Sequence, residues 1–330
     1  MAKIYVTRKI PGKAMEELLN NHDHEVRVSQ FDRPLTAEEF IENAKGSDAV
    51  LTLLTDKIDG EVIDALGPQL KIVSNYAVGF DNINVSQVTE KGVVVTNTPS
   101  DEVNESVAEH AWSLILAISR RVVESDEAVR GGAYFGWEPD IFLGDNLFGK
   151  TLGIVGLGRI GTMMASKAAG FNMKVLYNKR SRDEEAEQKY GMEFAELDDL
   201  YARSDYLSLH VPLTPETRHM INKNSINKMK HGIYIINTAR GAVIDEHDLA
   251  GALRDGHVKG AAIDVFDNEP YVNPEFISME NIILTPHIAS ATVEAREKMT
   301  SQAVGSILAV LSGNKPQEIV NEEVWGKRRN

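Results

Sequence analysis

The sequence predicts an α/β protein built as two doubly wound parallel-sheet domains. Three observations carry this. Strand-like and helix-like segments alternate almost throughout the 330 residues, the pattern that places helices on both faces of parallel sheets. The alternation comes in two series, separated by one apolar helix-like stretch at 104–121. The second series opens on Thr-Leu-Gly-Ile-Val-Gly-Leu-Gly-Arg-Ile-Gly at 151–161, an apolar run that leads into three spaced glycines and then a helix-like segment.

Taken in order, residues 2–7 read as a strand and 11–21 as an amphipathic helix. Strands follow at 48–54, 71–75 and 93–96. In the stretch 104–121, Ser106 and Glu109 stand at capping-box spacing. Its middle is apolar nearly all round, which predicts burial between the domains. Six further strands are expected at 151–156, 173–177, 206–211, 232–237, 260–264 and 281–285, the number of a full dinucleotide-binding sheet. A last helix over 292–311 keeps a 3.6-residue period through Met299, Ala303, Val304, Ile307, Leu308 and Leu311. Gly313 and Pro316 mark its stop. Because it follows the sixth strand, it can carry the chain back to the first domain. The expected division is therefore 1–99 with 291–330, and 100–290.

Composition narrows the function. A formal net charge of −14 argues against a nucleic-acid or anionic-membrane partner, so a small anionic substrate needs a locally basic pocket. With no cysteine, a disulfide framework, a thiolate metal site and a cysteine nucleophile are excluded, and no metal site is expected. The opening residues lack the apolar region of a signal peptide, and no run approaches the length of a membrane span. A cytoplasmic protein is expected.

The glycines at 151–161 form a dinucleotide-binding fingerprint in its required strand–turn–helix context. Gly156 permits a tight turn, Gly158 a close approach of pyrophosphate to backbone, and Gly161 close packing of helix on strand. The helix N-terminus offers unpaired N–H groups to the phosphates. An acid about twenty residues on would accept from an NAD ribose. Here the second strand runs into Asn178-Lys179-Arg180-Ser181-Arg182, with no acid between Phe171 and Arg182. Cations and a hydroxyl suit a 2′-phosphate. The expectation is NADP(H) ahead of NAD(H), bound through Arg180 and Ser181 with help from Lys179 and Arg182. A basic loop that accepts both cofactors is the alternative.

Three late segments each end an expected strand: Asn237–Gly241, Asp264–Pro270 and Thr285–Ser290. Ligands of open α/β sheets bind beyond the carboxyl ends of strands, so Arg240, Glu269 and His287 are expected to converge there. Such a set suits reduction of a 2-keto acid. Arginine offers a planar fork to carboxylate and carbonyl oxygens. Histidine can protonate the developing alkoxide, and a carboxylate beside an imidazole favours its protonated form.

Over essentially its whole length the chain resembles the D-isomer-specific 2-hydroxyacid dehydrogenases, through GLGRIG at 156–161, NTARG at 237–241, DVFDNEP at 264–270 and TPHIAS at 285–290. Within that family it is most similar to the glyoxylate/hydroxypyruvate reductase branch. The supporting stretches are NYAVGFDNI at 75–83, WEPDIFLGDNLFGKTLGIVG at 137–156 and EPYVNPEF at 269–276. Ser106–His110 departs toward the phosphoglycerate and general hydroxyacid pattern.

The resemblance implies a flavodoxin-like substrate domain and a Rossmann cofactor domain. It implies NADPH-dependent reduction of glyoxylate or hydroxypyruvate to glycolate or D-glycerate. Arg240 would bind substrate, Glu269 tune the histidine and His287 donate the proton. The N–H groups of Val78 and Gly79 would hold the substrate carboxylate and Leu54 would line its pocket. Trp137 would reach that pocket from the partner subunit of a homodimer. For the cofactor it implies Arg159 and Ile160 at the pyrophosphate, Val211 and Thr238 along its backbone, and Asp264 at the nicotinamide amide. Val78, Leu157, Ala239, Arg240, His287 and Ala289 would complete the contacts. Two other readings remain: a broad D-2-hydroxyacid dehydrogenase for larger 2-keto acids, and a cofactor-sensing binding protein on the same fold.

Overall fold

The computed structural model describes residues 1–329. The chain forms two compact units, Met1–Val103 with the chain from Ala291 onward, and Asn104–Ser290. The first boundary falls inside the helix Asp101–Ser119 rather than at 99/100.

In the first unit, β1 (Ala2–Val6), β2 (His24–Val28), β3 (Ala49–Thr52), β4 (Ile72–Asn75) and β5 (Val94–Thr96) form one parallel sheet in the order β2-β1-β3-β4-β5. This is the flavodoxin-like order. Successive side chains face opposite cores. Ile4, Val6, Leu51, Ile72 and Val94 pack with Met299, Ala303 and Ile307 of the helix Val293–Leu311. Tyr5, Val50, Val73 and Val95 pack with Phe40, Ile63 and Leu66. With both faces covered, every position of β3 and β4 is buried, which is why those strands read as short apolar runs.

The helix Val293–Leu311 starts on Thr292, whose side chain accepts the Ala295 N–H, and Gly313 follows it at φ +79°. Ser74 donates to the Ala303 carbonyl at 3.0 Å, tying this late helix to β4. The strand β2 is a departure from expectation. It is an edge strand, HEVRV, with no fully buried residue, so its apolar signal is faint.

In the second unit, β6 (Thr151–Val155), β7 (Lys174–Asn178), β8 (Met192–Phe194), β9 (Tyr206–Leu209), β10 (Ile233–Asn237), β11 (Val258–Ile263) and β12 (Ile282–Leu284) form a parallel sheet in the order β12-β11-β10-β9-β6-β7-β8. The strand order reverses between β6 and β9, the switch point at which such sheets bind ligands. Seven strands stand where six are expected; the addition, β8, is a three-residue edge strand. One face buries Leu152, Ile154, Tyr177 and Ile236 with Trp112, Ile115 and Met164. The other buries Val155, Leu176, Leu207 and Ile235 with Leu249 and Leu253.

The helix Asp101–Ser119 begins earlier than the spacing of Ser106 and Glu109 suggests. Ser100 accepts the Val103 N–H at 3.2 Å and supplies the cap. Ser106 lies inside the helix, and its hydroxyl goes to the Ala289 carbonyl at 2.9 Å, so the expected capping box does not form. From Ala108 to Ile118 the apolar face sinks into the second unit's core. Among the described residues no helix is long and apolar enough to cross a membrane, and no cluster of His, Asp and Glu could hold a metal ion.

Candidate active site

β6 ends at Val155 and the chain turns at Gly156 with φ +96°. A Cβ at Gly156 would stand 2.4 Å from the His210 carbonyl oxygen, and one at Gly161 would stand 2.2 Å from the Gly156 carbonyl oxygen. Neither approach admits a side chain. Gly158 differs: no heavy atom lies within 4 Å of a Cβ built there. It is exposed at the head of the helix Arg159–Ala168, beside first-turn N–H groups that lack helical partners. Open backbone and donors together fit a pyrophosphate. Arg159 is exposed, Ile160 half-buried and Leu157 buried. Val211 follows β9, and Thr238 follows β10 with its hydroxyl buried and unpartnered among the described residues. A buried hydroxyl without a partner fits a cofactor contact.

The end of β7 separates the basic residues into two kinds. Lys179 Nζ lies 2.9 Å from Asp183 Oδ2, and Arg182 forks onto Glu187 at 2.8 and 2.7 Å. These two cations are already matched by carboxylates of the chain. Arg180 and Ser181 are exposed and donate no hydrogen bond among the described residues. Asn178, which ends β7, is neutral and donates to the Ala195 carbonyl at 2.9 Å.

Beyond β11 and β12 the chain builds a histidine pair. His287 Nδ1 is 2.9 Å from Glu269 Oε2 and 3.1 Å from Oε1. Glu269 also accepts the Phe266 N–H at 3.0 Å, so the carboxylate is held from two sides. His287 has φ +56°, a left-handed conformation uncommon for a residue with a side chain. Asp264 supports it. The Asp264 carbonyl accepts the His287 N–H at 2.8 Å. Its carboxylate accepts the Thr285 hydroxyl at 2.6 Å and the N–H groups of Ile288 and Ala289, each at 2.9 Å. Burial pushes the Asp264 carboxyl up, but bonds from His110, Thr285, Ile288 and Ala289 outweigh it and hold it below the ordinary range.

The resemblance assigns Asp264 to a nicotinamide amide. In this structure its wholly buried carboxylate steadies the turn that carries His287. His110, which sequence reasoning does not single out, joins the same network: its Nε2 lies 3.2 Å from Thr285 Oγ1 and 3.5 Å from Asp264 Oδ1. A lone histidine on an apolar helix face carries no such signal before folding.

Arg240 follows β10. Its guanidinium donates to the Ala239 carbonyl at 2.7 Å, and its own carbonyl accepts from Asn237 Nδ2 at 2.9 Å. A Cβ at Gly241 would meet the Phe266 carbonyl carbon at 1.9 Å. The Arg240 turn and the Glu269 loop are thus packed backbone to backbone at one end of one sheet. In the first unit, Leu54 follows β3 and is exposed, while Val78 and Gly79 follow β4 and are half-buried. Trp137 is 82% exposed, in the segment after the helix Val122–Arg130.

Comparison with known proteins agrees with this architecture. The family model for the NAD-binding domain of D-isomer specific 2-hydroxyacid dehydrogenases matches residues 112–289. The chain is 44% identical over 331 residues to a glyoxylate reductase of Thermococcus onnurineus, covering 99% of this chain and 98% of that protein. A crystal structure of a Thermus thermophilus protein superposes with TM-score 0.89 at 38% identity, covering 96% and 99% of the two chains. An NADPH-dependent glyoxylate/hydroxypyruvate reductase of Sinorhizobium meliloti superposes with TM-score 0.83 at 30% identity over the full length of both. With a nucleotide fingerprint on one sheet and a carboxylate-backed histidine at the same carboxyl end, the chain is an NAD(P)-dependent oxidoreductase that belongs to the D-isomer specific 2-hydroxyacid dehydrogenases, in their glyoxylate reductase branch.

Proposed function

We propose that the enzyme reduces glyoxylate and hydroxypyruvate with NADPH, giving glycolate and D-glycerate. The observation that carries this reading is the Glu269–His287 pair, 2.9 Å apart, at the carboxyl end of a dinucleotide sheet. Because Nδ1 faces a carboxylate, it keeps its proton there, and Nε2 is left to donate to the developing alkoxide. Glu269 accepts the hydrogen bond from Nδ1 and fixes the ring's orientation. Arg240 presents its fork to the substrate's carboxylate and carbonyl oxygens. Val78 and Gly79 offer backbone donors to the carboxylate, and Leu54 lines the pocket. When bound, the nicotinamide supplies hydride to the keto carbon. The first unit is the substrate domain in this reading.

The NADPH preference is supported by the lack of an acid between Phe171 and Arg182 and by Arg180 and Ser181, whose side chains have no hydrogen bond among the described residues. The named cofactor of the Sinorhizobium reductase agrees with it. A homodimer is supported by the exposed Val122, Val129, Tyr134, Phe135, Trp137 and Phe148, an apolar run that lone exposed residues do not explain. A chain without cysteine is compatible with the reducing cytoplasm, where we place the enzyme.

The test is a panel of glyoxylate, hydroxypyruvate, pyruvate and phenylpyruvate with NADPH and with NADH, followed at 340 nm. The two small keto acids should turn over fastest, with NADPH. Faster turnover of phenylpyruvate would favour a broad dehydrogenase, and no turnover of any would favour a cofactor sensor. Arg180→Gln should lower kcat/KM for NADPH about tenfold relative to NADH, the effect of losing one charge-assisted hydrogen bond.

A further inference from the structure

The turn after β4 has an unusual hydrogen-bond pattern. Three successive carbonyls are each held by a donor. The Ala77 oxygen accepts the Thr98 N–H at 2.9 Å, the Val78 oxygen accepts Asn97 Nδ2 at 2.7 Å, and the Gly79 oxygen accepts Asn75 Nδ2 at 3.0 Å. In a trans peptide the next residue's N–H points opposite to the carbonyl. Each N–H of Val78, Gly79 and Phe80 therefore faces away from the donor that holds the carbonyl of its own peptide. Among the described residues, none of the three N–H groups has an acceptor in the chain. Successive unpaired N–H groups in a turn are the material of an anion-binding nest, and residues 76–78 form a bend.

The asparagines are themselves held. Asn75 Oδ1 accepts from the Thr52 hydroxyl and from Asn82 Nδ2, both at 3.2 Å. Asn82 Nδ2 also donates to the Asp56 carbonyl at 2.9 Å and the Leu53 carbonyl at 3.2 Å, on either side of Leu54. The carboxyl ends of β3 and β4 are thus joined by neutral amides. An amide nitrogen pins a carbonyl without adding charge, whereas an aspartate at the same position would repel both that carbonyl and an incoming anion.

We infer that Asn97 and Asn75 are positioning residues that aim a nest of three backbone donors, Val78, Gly79 and Phe80, at the substrate carboxylate. The inference rests on the proposed function for the carboxylate itself; what it adds is the third donor and the two asparagines that orient the set. Neither asparagine touches the substrate. They act by fixing which way three peptide planes face.

Two measurements test it. Asn97→Leu removes the Val78 clamp at similar size and without charge. It should raise KM for glyoxylate about tenfold, the scale of one hydrogen bond, while kcat and the Kd for NADPH stay within about twofold. An unchanged KM overturns the inference, as does a parallel fall in kcat and cofactor affinity. Should that variant not fold, the unmodified enzyme decides. With NADPH bound and Val, Gly and Phe labelled with nitrogen-15, saturation with oxamate, an unreactive keto-acid isostere, should shift the amide resonances of Val78, Gly79 and Phe80 together. A stationary Phe80 resonance beside moving Val78 and Gly79 overturns the three-donor nest. All three stationary in an enzyme that still reduces glyoxylate removes the carboxylate site from this turn. Failure of the wild type to reduce any keto acid would instead sink the proposed function.

Discussion

At the carboxyl edge of the second unit's sheet, the chain works largely by what it leaves out. Gly156 and Gly161 have no room for a Cβ, and Gly158 leaves its backbone open, with charged side chains gathered on the neighbouring strand ends. At the carboxyl edge of the first unit's sheet the donors around the Val78 turn are neutral: asparagine amides hold two of its carbonyls, and each N–H that remains faces away from the donor on its own peptide. Both edges end parallel strands, and both suit anions. One does so with glycine sterics, a helix terminus and ionised side chains, the other with oriented peptide dipoles. A peptide dipole neither titrates nor carries a proton. In the proposed function, proton transfer therefore falls to the second unit and carboxylate binding to the first.

The largest effect should separate those two tasks. His287→Ala removes the proposed proton donor and should lower kcat about 10²–10⁴-fold, with KM for glyoxylate changed far less. Glu269→Gln keeps the shape beside His287 but removes the charge, and should cost about 10²-fold in kcat at the same NADPH affinity. Steady-state kinetics on both variants checks this. A His287→Ala enzyme that keeps full turnover ends the assignment of a proton donor and dissolves the contrast between the two edges.

A smaller pair of effects tests the glycines against each other. Gly161→Ala places a Cβ 2.2 Å from the Gly156 carbonyl oxygen, and overpacking of this kind costs about 1–3 kcal/mol. Gly158→Ala meets no atom within 4 Å, so its Tm should match the wild type. It should nevertheless weaken NADPH by about tenfold or more, because the methyl would stand where the proposed site brings the pyrophosphate to the backbone. Thermal melts and a fluorescence titration with NADPH read both. Equal losses of Tm in the two variants would mean that Gly158 is structural too.

The same contrast explains what could be read before folding. Glycine spacing was legible because each missing Cβ answers a local demand, and buried parallel strands such as β10 announce themselves as apolar runs. Glu269 and His287 were legible through motifs that end strands. The edge strands β2 and β8 were not, because partial exposure erases their pattern. Ser106 misled because its hydroxyl has a tertiary partner, the Ala289 carbonyl, that outcompetes a local cap. Asn75, Asn97 and His110 were invisible because their partners lie on other segments of the chain. An asparagine in a loop has no meaning until a carbonyl is placed opposite it. Lys179 and Arg182 show the reverse, for their charge is obvious in sequence and their engagement with Asp183 and Glu187 is not.

The smallest expected effect is one of acid, and its sign differs between the edges. His210 follows β9, its carbonyl lies against Gly156, and its Nε2 is 2.8 Å from the Ser208 hydroxyl. Burial pushes this imidazole down to about 4, from an ordinary 6.5. The unfolded chain therefore takes up the proton first. The stability that His210 contributes is present above about pH 6.5 and is lost as pH falls toward 4, by on the order of 2 kcal/mol at pH 5. In the first unit, burial pushes the Asp56 carboxyl up, against the bonds from the Leu53 N–H and the Thr7 hydroxyl. There the folded chain binds the proton more readily, and acid relieves a cost instead of adding one. Between pH 7 and 5, His210→Gln should thus lose less Tm than the wild type. Over the same range, hydrogen exchange corrected for intrinsic rate should rise at 206–211 and stay level at 52–56. Parallel melting curves for His210→Gln and the wild type would show that the imidazole is not held neutral beneath the nucleotide turn, and equal exchange at both segments would remove the difference in sign.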